Sequence, residues 1–219
     1  MAGRLITLGP VERLLADWTA LAGPGSDSRD VWSELIERWS EPHRVYHGLA
    51  HLAVVLAVLD RYAGLAEDPD AVRLAAWFHD AVYDPTRPDN EESSAVLAGR
   101  RLATLNLPAA RVAQVQRLVR LTATHRYDDA DADAALLCDA DLSVLAGPPA
   151  AYVGYANAIR AEYAHVPDDD FRAGRADVLR GLLARDRLFG TAAMHRLEEP
   201  ARRNIQAELV LLGGEQHSA

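Results

Sequence analysis

Four short segments of the chain carry the residue types that hold divalent ions. They are Tyr46-His47-Gly48-Leu49-Ala50-His51, then His79-Asp80, then Thr124-His125, then Asp139-Ala140-Asp141-Leu142-Ser143. Two imidazoles and two carboxylates can grip one ion and, on a six-coordinate metal, leave room for a water and a phosphate oxygen. Hydrolysis of a phosphoester is the first chemistry such a set suggests.

Each segment needs its setting to carry weight. A His-Asp pair alone is weak in a chain this rich in Asp. Leu74-Ala-Ala-Trp-Phe78 precedes it, however, so His79 and Asp80 fall at the end of a buried helix. An ionised Asp there needs a partner, because an unpaired buried charge costs several kcal/mol. His47 and His51 stand four apart, so both project from one face if His47 to Tyr62 is a single helix. The apolar run from Leu52 to Leu59 puts that helix in the core and its first turns at the rim of a cavity. Asp139 and Asp141 lie between Leu136-Leu-Cys138 and Val144-Leu145, so at least one carboxylate is near the buried face. On one helix the two point about 200° apart, so only one of them suits a given ion. A solvated acidic face explains Asp128, Asp129, Asp131 and Asp133 better than it explains Asp141.

The elements that must position these groups are helical. Apolar residues recur at three- and four-residue intervals in Val11–Trp18 and Val31–Trp39. Further helices are expected over 47–62, 71–82, 93–105, 109–123, 134–145, 150–163, 172–189 and 201–212, with Asp70 capping the one that leads to His79. Pro42, Pro69, Pro85, Pro88, Pro108, Gly147-Pro148-Pro149, Pro167 and Pro200 punctuate the gaps. No alternating strand and no internal repeat is evident. The expectation is one all-α domain over 1–219, a helical bundle with its metal-site core at about 42–146 and helices at about 150–212 completing it. Residues 213–219 read as a frayed tail.

Composition narrows the partners. At 219 residues, 49% hydrophobic and 25% charged, the chain has the balance of an ordinary globular protein. The net charge of −9 argues against coating a nucleic-acid polymer. No stretch reaches the roughly 18 consecutive apolar residues of a membrane span, and the first ten residues do not read as a signal peptide. A single cysteine, Cys138, fits a reducing cytoplasm. Homo-oligomerisation is left open.

Taken together, the order His, His-Asp, Asp resembles the HD superfamily of metal-dependent phosphohydrolases. Their spacing is 28 residues from His51 to His79 and 61 from Asp80 to Asp141. Tyr46-His47 to His51 and Ala140-Asp141-Leu142-Ser143 are similar to the matching stretches of cyclic-nucleotide phosphodiesterases. Nearly the whole chain resembles the bacterial group of predicted metal-dependent HD phosphohydrolases. That likeness includes Glu41-Pro-His-Arg44, Asp84-Pro85, Asp89-Asn-Glu-Glu-Ser-Ser-Ala95, Ile159-Arg-Ala-Glu-Tyr163 and Ala201-Arg-Arg-Asn-Ile205. The resemblance implies metal ligands His51, His79, Asp80 and Asp141, with His47 as proton donor. Gly48 departs from it, standing where the motif commonly has Asn.

The donor set favours Mn, Fe, Co, Ni or Zn over Mg, which prefers fewer histidines. Such an ion acidifies a water and polarises phosphorus, Asp80 can orient that water through its second oxygen, and an imidazolium can protonate the leaving alkoxide. Arg44 is a candidate phosphate grip. His125 is a candidate for facing substrate or completing a second metal site, and Glu91 and Glu92 for reaching the water network. Arg160, Tyr163 and Arg175 are candidates for the pocket wall. The expected substrate is a phosphomonoester or phosphodiester, of a nucleotide or another small phosphorylated metabolite. Two rivals share the fold. A di-iron oxygenase needs more histidines between His79-Asp80 and Asp141 than His125 alone. A non-catalytic nucleotide sensor is expected to have lost ligands, and none of the four is missing.

Overall fold

The computed structural model describes residues 9–214. The expected lack of a leader in the first ten residues, and all but the start of the expected tail, fall on residues 1–8 and 215–219, outside that range. Among the described residues every regular element is helical. In order these are α1 (Pro10–Ala22), α2 (Ser26–Trp39), α3 (Leu49–Arg61), α4 (Pro69–Phe78), α5 (Asn90–Leu102), α6 (Ala109–Leu121), α7 (Ala132–Leu142), α8 (Pro149–Glu162), α9 (Asp168–Leu183) and α10 (Glu198–Gly214). Short 3-10 turns cover Ala63–Leu65, Ala103–Leu105, Ser143–Ala146 and Ala192–Leu197. No described helix is long and apolar enough to cross a membrane.

The helices start where local chemistry permits. Asp68, not Asp70, caps α4: its side chain accepts from the Ala71 N–H, and Pro69 takes the first helical position, where its missing N–H costs nothing. Asp131 caps α7 in the same way through the Ala134 N–H.

Two buried clusters fill the interior. The larger joins α1 to α7 around Trp18, Trp39, Trp77 and Phe78, all essentially without solvent contact. The indole N–H groups of Trp18 and Trp39 are satisfied by Ser28 and by the Trp77 carbonyl, so burying them leaves no orphan donor. The smaller cluster gathers Leu145, Tyr152, Leu179, Leu188, Phe189, Met194, Ala201 and Ile205. The two meet at Val58 and Tyr62 on α3, which pack against both.

Most helix ends differ from the sequence reading by a few residues, and those of α3, α4 and α9 bear on the site. α3 begins at Leu49, so His47 lies in the turn before it. The N–H groups of Val45, Tyr46 and His47 all donate to one carboxylate oxygen of Glu162, at 2.8, 2.7 and 2.9 Å, which commits them before any helix can form. α4 ends at Phe78, leaving His79-Asp80 in the turn that follows it. α9 runs from Asp168, where three acids favour a helix N-terminus, and stops at Leu183. Beyond it, the Leu188 and Phe189 N–H groups donate to Glu198, and those of Gly190 and Thr191 to Asp139, so carboxylates replace helical carbonyls.

Arg44 ties the two turns that carry the candidate site. Its buried guanidinium donates to the carbonyls of His47 and Asp80 at 3.0 and 2.7 Å, to that of Ala81 at 3.2 Å and to Glu41 at 2.9 Å. It also lies between the rings of Trp39 and Tyr83. This corrects its candidacy as a phosphate grip, because the planar fork is spent on backbone. Arg44→Met should therefore cost about 3 kcal/mol or more, from three carbonyls stripped of a charged donor. Urea denaturation showing a loss under about 1 kcal/mol would refute this clamp.

Candidate metal centre

α3, the turn after α4, and α7 converge so that four side chains meet. Nε2 of His51 lies 3.1 Å from Nε2 of His79 and 3.1 Å from Oδ1 of Asp141. Nε2 of His79 lies 3.1 Å from Oδ2 of Asp80 and 3.7 Å from Oδ1 of Asp141. Asp80 Oδ2 is the outlying donor, 3.9 Å from His51 Nε2. Donors roughly 2.0–2.2 Å from a shared ion stand about 3–4 Å from one another, and the separations among His51, His79 and Asp141 fall in that range. His51, His79 and Asp141 form the tightest subset. Those three could hold a metal ion, whereas Asp80 approaches them through His79 and stands outside that set.

Supporting contacts fix their orientation. His79 donates from Nδ1 to the Ala76 carbonyl at 2.8 Å, which turns Nε2 toward the cluster. Trp39 packs against both imidazoles, 6.3 Å from His51 and 5.4 Å from His79 between ring centroids. His125 donates from Nε2 to Oδ2 of Asp141 at 2.7 Å, leaving Oδ1 to face the histidines. To do this His125 adopts a left-handed backbone, φ 49°, where Arg185 holds the Thr124 and His125 carbonyls. That conformation costs about 1–2 kcal/mol for a residue with a side chain. The hydrogen bond to Asp141 gives it a reason. His125 therefore buttresses a ligand, and it also lines the cleft in front of Asp141.

The electrostatics of the cluster suit a bound cation. Burial works against the charged form of every group here. Even so, Asp80 is held well below the ordinary carboxylate range by the His79 imidazolium, and Asp141 by hydrogen bonds from His125, His51 and His79. Burial pushes His51 down, whereas for His79 the Asp80 and Asp141 carboxylates overcome burial and push it well up. A divalent ion placed among these imidazoles and carboxylates would meet negative charge from both Asp80 and Asp141. Soft imidazole and hard carboxylate donors together fit a first-row transition ion.

Asp139 is fully buried yet elsewhere. It accepts from the Gly190 and Thr191 N–H groups at 2.7 and 2.8 Å and from the Thr191 hydroxyl at 2.6 Å. A Cβ on Gly190 would run into the Tyr127 hydroxyl and Ala135, so glycine is needed for this close approach.

His47 sits beside the centre, its ring 5.9 Å from that of His51. The expected separation holds, although a turn supplies it in place of a shared helix face. His47 donates from Nδ1 to Oε2 of Glu162 at 2.6 Å, and the Tyr83 hydroxyl donates to the same oxygen at 2.7 Å. Burial opposes the Glu162 charge, but the bonds from His47 and Tyr83 bring its pKa down to about 2. An ionised carboxylate only accepts, so the proton is on Nδ1 and Nε2 is left for other work. Glu162 and Tyr83 were not singled out as site residues from sequence. The signal was present in Glu162, an acid on the buried stripe Tyr152, Tyr155, Ile159 of α8.

A cleft of about 580 Å³ opens onto Asp141 and His47, walled by Glu91, His125, Arg126, Arg175 and Arg185 among others. Glu91 lines it as expected. Glu92 points to solvent and pairs with Arg120, which corrects its candidacy. Tyr163 and Arg175 line the neighbouring space, while Arg160 is taken up by the Tyr163 and Val166 carbonyls and by Asp168. Compared with protein-family models, curated proteins and solved structures, the chain matches none.

Two expectations follow. Asp141→Asn should lose bound transition metal, while Asp139→Asn should keep it despite a lower stability; elemental analysis showing the opposite order would reassign the ligand. Glu162 has a folded-state pKa below the ordinary 4.5, so its charge stabilises the fold above about pH 4.5, and this is lost as pH falls toward about 2. Glu162→Gln should then cost about 3 kcal/mol near neutral pH, with the gap to the parent narrowing below pH 4.5. A gap that stays constant down to about pH 3 would contradict it.

Proposed function

We propose that this protein is a metal-dependent hydrolase of phosphoesters, of the HD type that its sequence resembles, acting on a small phosphorylated metabolite, with nucleotides among the candidates. The observation that carries the reading is the four-residue cluster of His51, His79, Asp80 and Asp141, opening through Asp141 onto a cleft that also holds His47. A bound divalent ion would supply Lewis-acid polarisation of the phosphoryl group and an activated water.

This chain's own residues supply the rest. Asp80 reaches His79 with one oxygen, 3.1 Å away; the other can accept from and aim the attacking water. Arg126 and Arg185, on the cleft wall, bring positive charge to a protein of net charge −9, and so favour an anionic substrate at this place. As the imidazolium, His47 would give its Nε2 proton to the leaving oxygen while Glu162 holds Nδ1–H and fixes the ring, the division of labour expected of a general acid and its orienting carboxylate. The lone buried Cys138 is consistent with a reducing cytoplasm, and cytoplasmic placement belongs to the same proposal.

The test separates proton donation from metal binding. His47→Ala should retain metal and lose roughly 10²–10⁴ in rate on an alkyl phosphate, the usual span for a general acid. An activated aryl phosphate, whose leaving group needs little protonation, should be hydrolysed far less impaired. Equal losses on both substrates would remove His47 from that role, and no hydrolysis of any phosphoester by the metal-loaded parent would end the reading.

A further inference from the structure

The cleft in front of Asp141 continues past His47. Beyond it lies a second lobe of about 440 Å³, walled by Tyr155, Ile159, Tyr163, Val166 and Phe171. His47, Tyr155, Arg175 and Val178 border both lobes, so the two meet at these side chains. The lobes differ in chemistry. The first presents Asp141, His125, Glu91, Arg126 and Arg185, with Arg175 shared, whereas the second is lined mainly by aromatic and branched side chains. Arg175 borders it, but its guanidinium already bonds Glu208 at 2.8 and 3.1 Å and the Tyr155 hydroxyl at 3.3 Å. Asp170, at the start of α9, adds a negative charge to the rim.

We infer that the second lobe binds the organic leaving group of the ester, and that this group is an uncharged aromatic one. The inference rests on the phosphoester reading and deepens it. With phosphorus held on the Asp141 side and the leaving oxygen at His47, the atoms attached to that oxygen must continue past His47. The space there is the apolar lobe. Its volume lies within the range of small-molecule pockets. Three aromatic side chains offer a flat ring the offset or edge-on contacts that such rings prefer. A further phosphate gains little there, since Arg175 is already neutralised by Glu208 and Asp170 repels it. The lobe therefore selects aryl over polyanionic leaving groups.

Gly174 gives the means of testing this. It lines the lobe in the interior of α9, and a Cβ built on it meets nothing within 4 Å. A larger side chain is therefore accepted by the fold, and leucine is a better helix former than glycine. The experiment titrates phenylphosphonate and methylphosphonate, which share a headgroup and are not hydrolysed, into Mn(II)-loaded protein by calorimetry. In the parent, phenylphosphonate should bind at least about tenfold tighter, the gain expected from burying one ring. In Gly174→Leu that advantage should fall to roughly threefold or less, with methylphosphonate affinity unchanged. Equal affinities in the parent would overturn the inference, as would an undiminished phenyl advantage in a folded Gly174→Leu. Failure of the underlying reading looks different: neither phosphonate would bind, and the inference would fall with it.

Discussion

Burying the carboxylates of Asp80 and Asp141 in a helical interior costs several kcal/mol each unless positive charge meets them. The middle of this molecule is organised around meeting that cost. His51 and His79 present Nε2 to both carboxylates, His125 donates to the far oxygen of Asp141, and Trp39 packs against the imidazoles. These side chains come from α3, the turn after α4, α7 and the turn after α6. The packing of α3 against α4 and α7 is thereby coupled to a charge arrangement that could receive a cation. A divalent ion would complete the electrostatics as well as bring chemistry.

Two further buried charges set the precision of the centre without touching it. Arg44 joins the His47 turn to the Asp80 turn through their carbonyls, and Glu162 gathers the three N–H groups before α3 and the His47 ring. They act from opposite sides on one short segment, residues 44–48, which therefore has little freedom to drift. Its capping residue, Gly48, has no side chain to satisfy a helix end, and its N–H bonds the Tyr46 carbonyl instead.

Much of this was legible in the sequence. Helical periodicity located the elements, because apolar spacing reports burial directly. The grouping of His51, His79 and Asp141 was legible because ionisable residues inside apolar runs need partners, and choosing Asp141 over Asp139 agrees with the geometry. What could not be read were partnerships over long sequence separations. Arg44 looked like a phosphate grip because nothing local shows that its acceptors are the His47, Asp80 and Ala81 carbonyls. Glu162 looked like one acid among many, since its three backbone donors lie more than a hundred positions away. Helix ends failed for the same reason: Glu162, Glu198 and Asp139 reach in from elsewhere and take N–H groups that periodicity assigns to a helix, or leave helical segments shorter than their apolar pattern.

The claim that most else hangs on is that one transition ion sits among His51, His79, Asp80 and Asp141. X-ray absorption at the metal edge, on protein loaded with a single equivalent of Zn(II) or Mn(II), tests it most directly. The account predicts a mixed shell containing two imidazoles, recognisable from their outer-ring scattering, with oxygen donors filling the remainder at about 2.0–2.2 Å. A shell of oxygen alone, or a protein that releases the ion on simple dialysis, would contradict it.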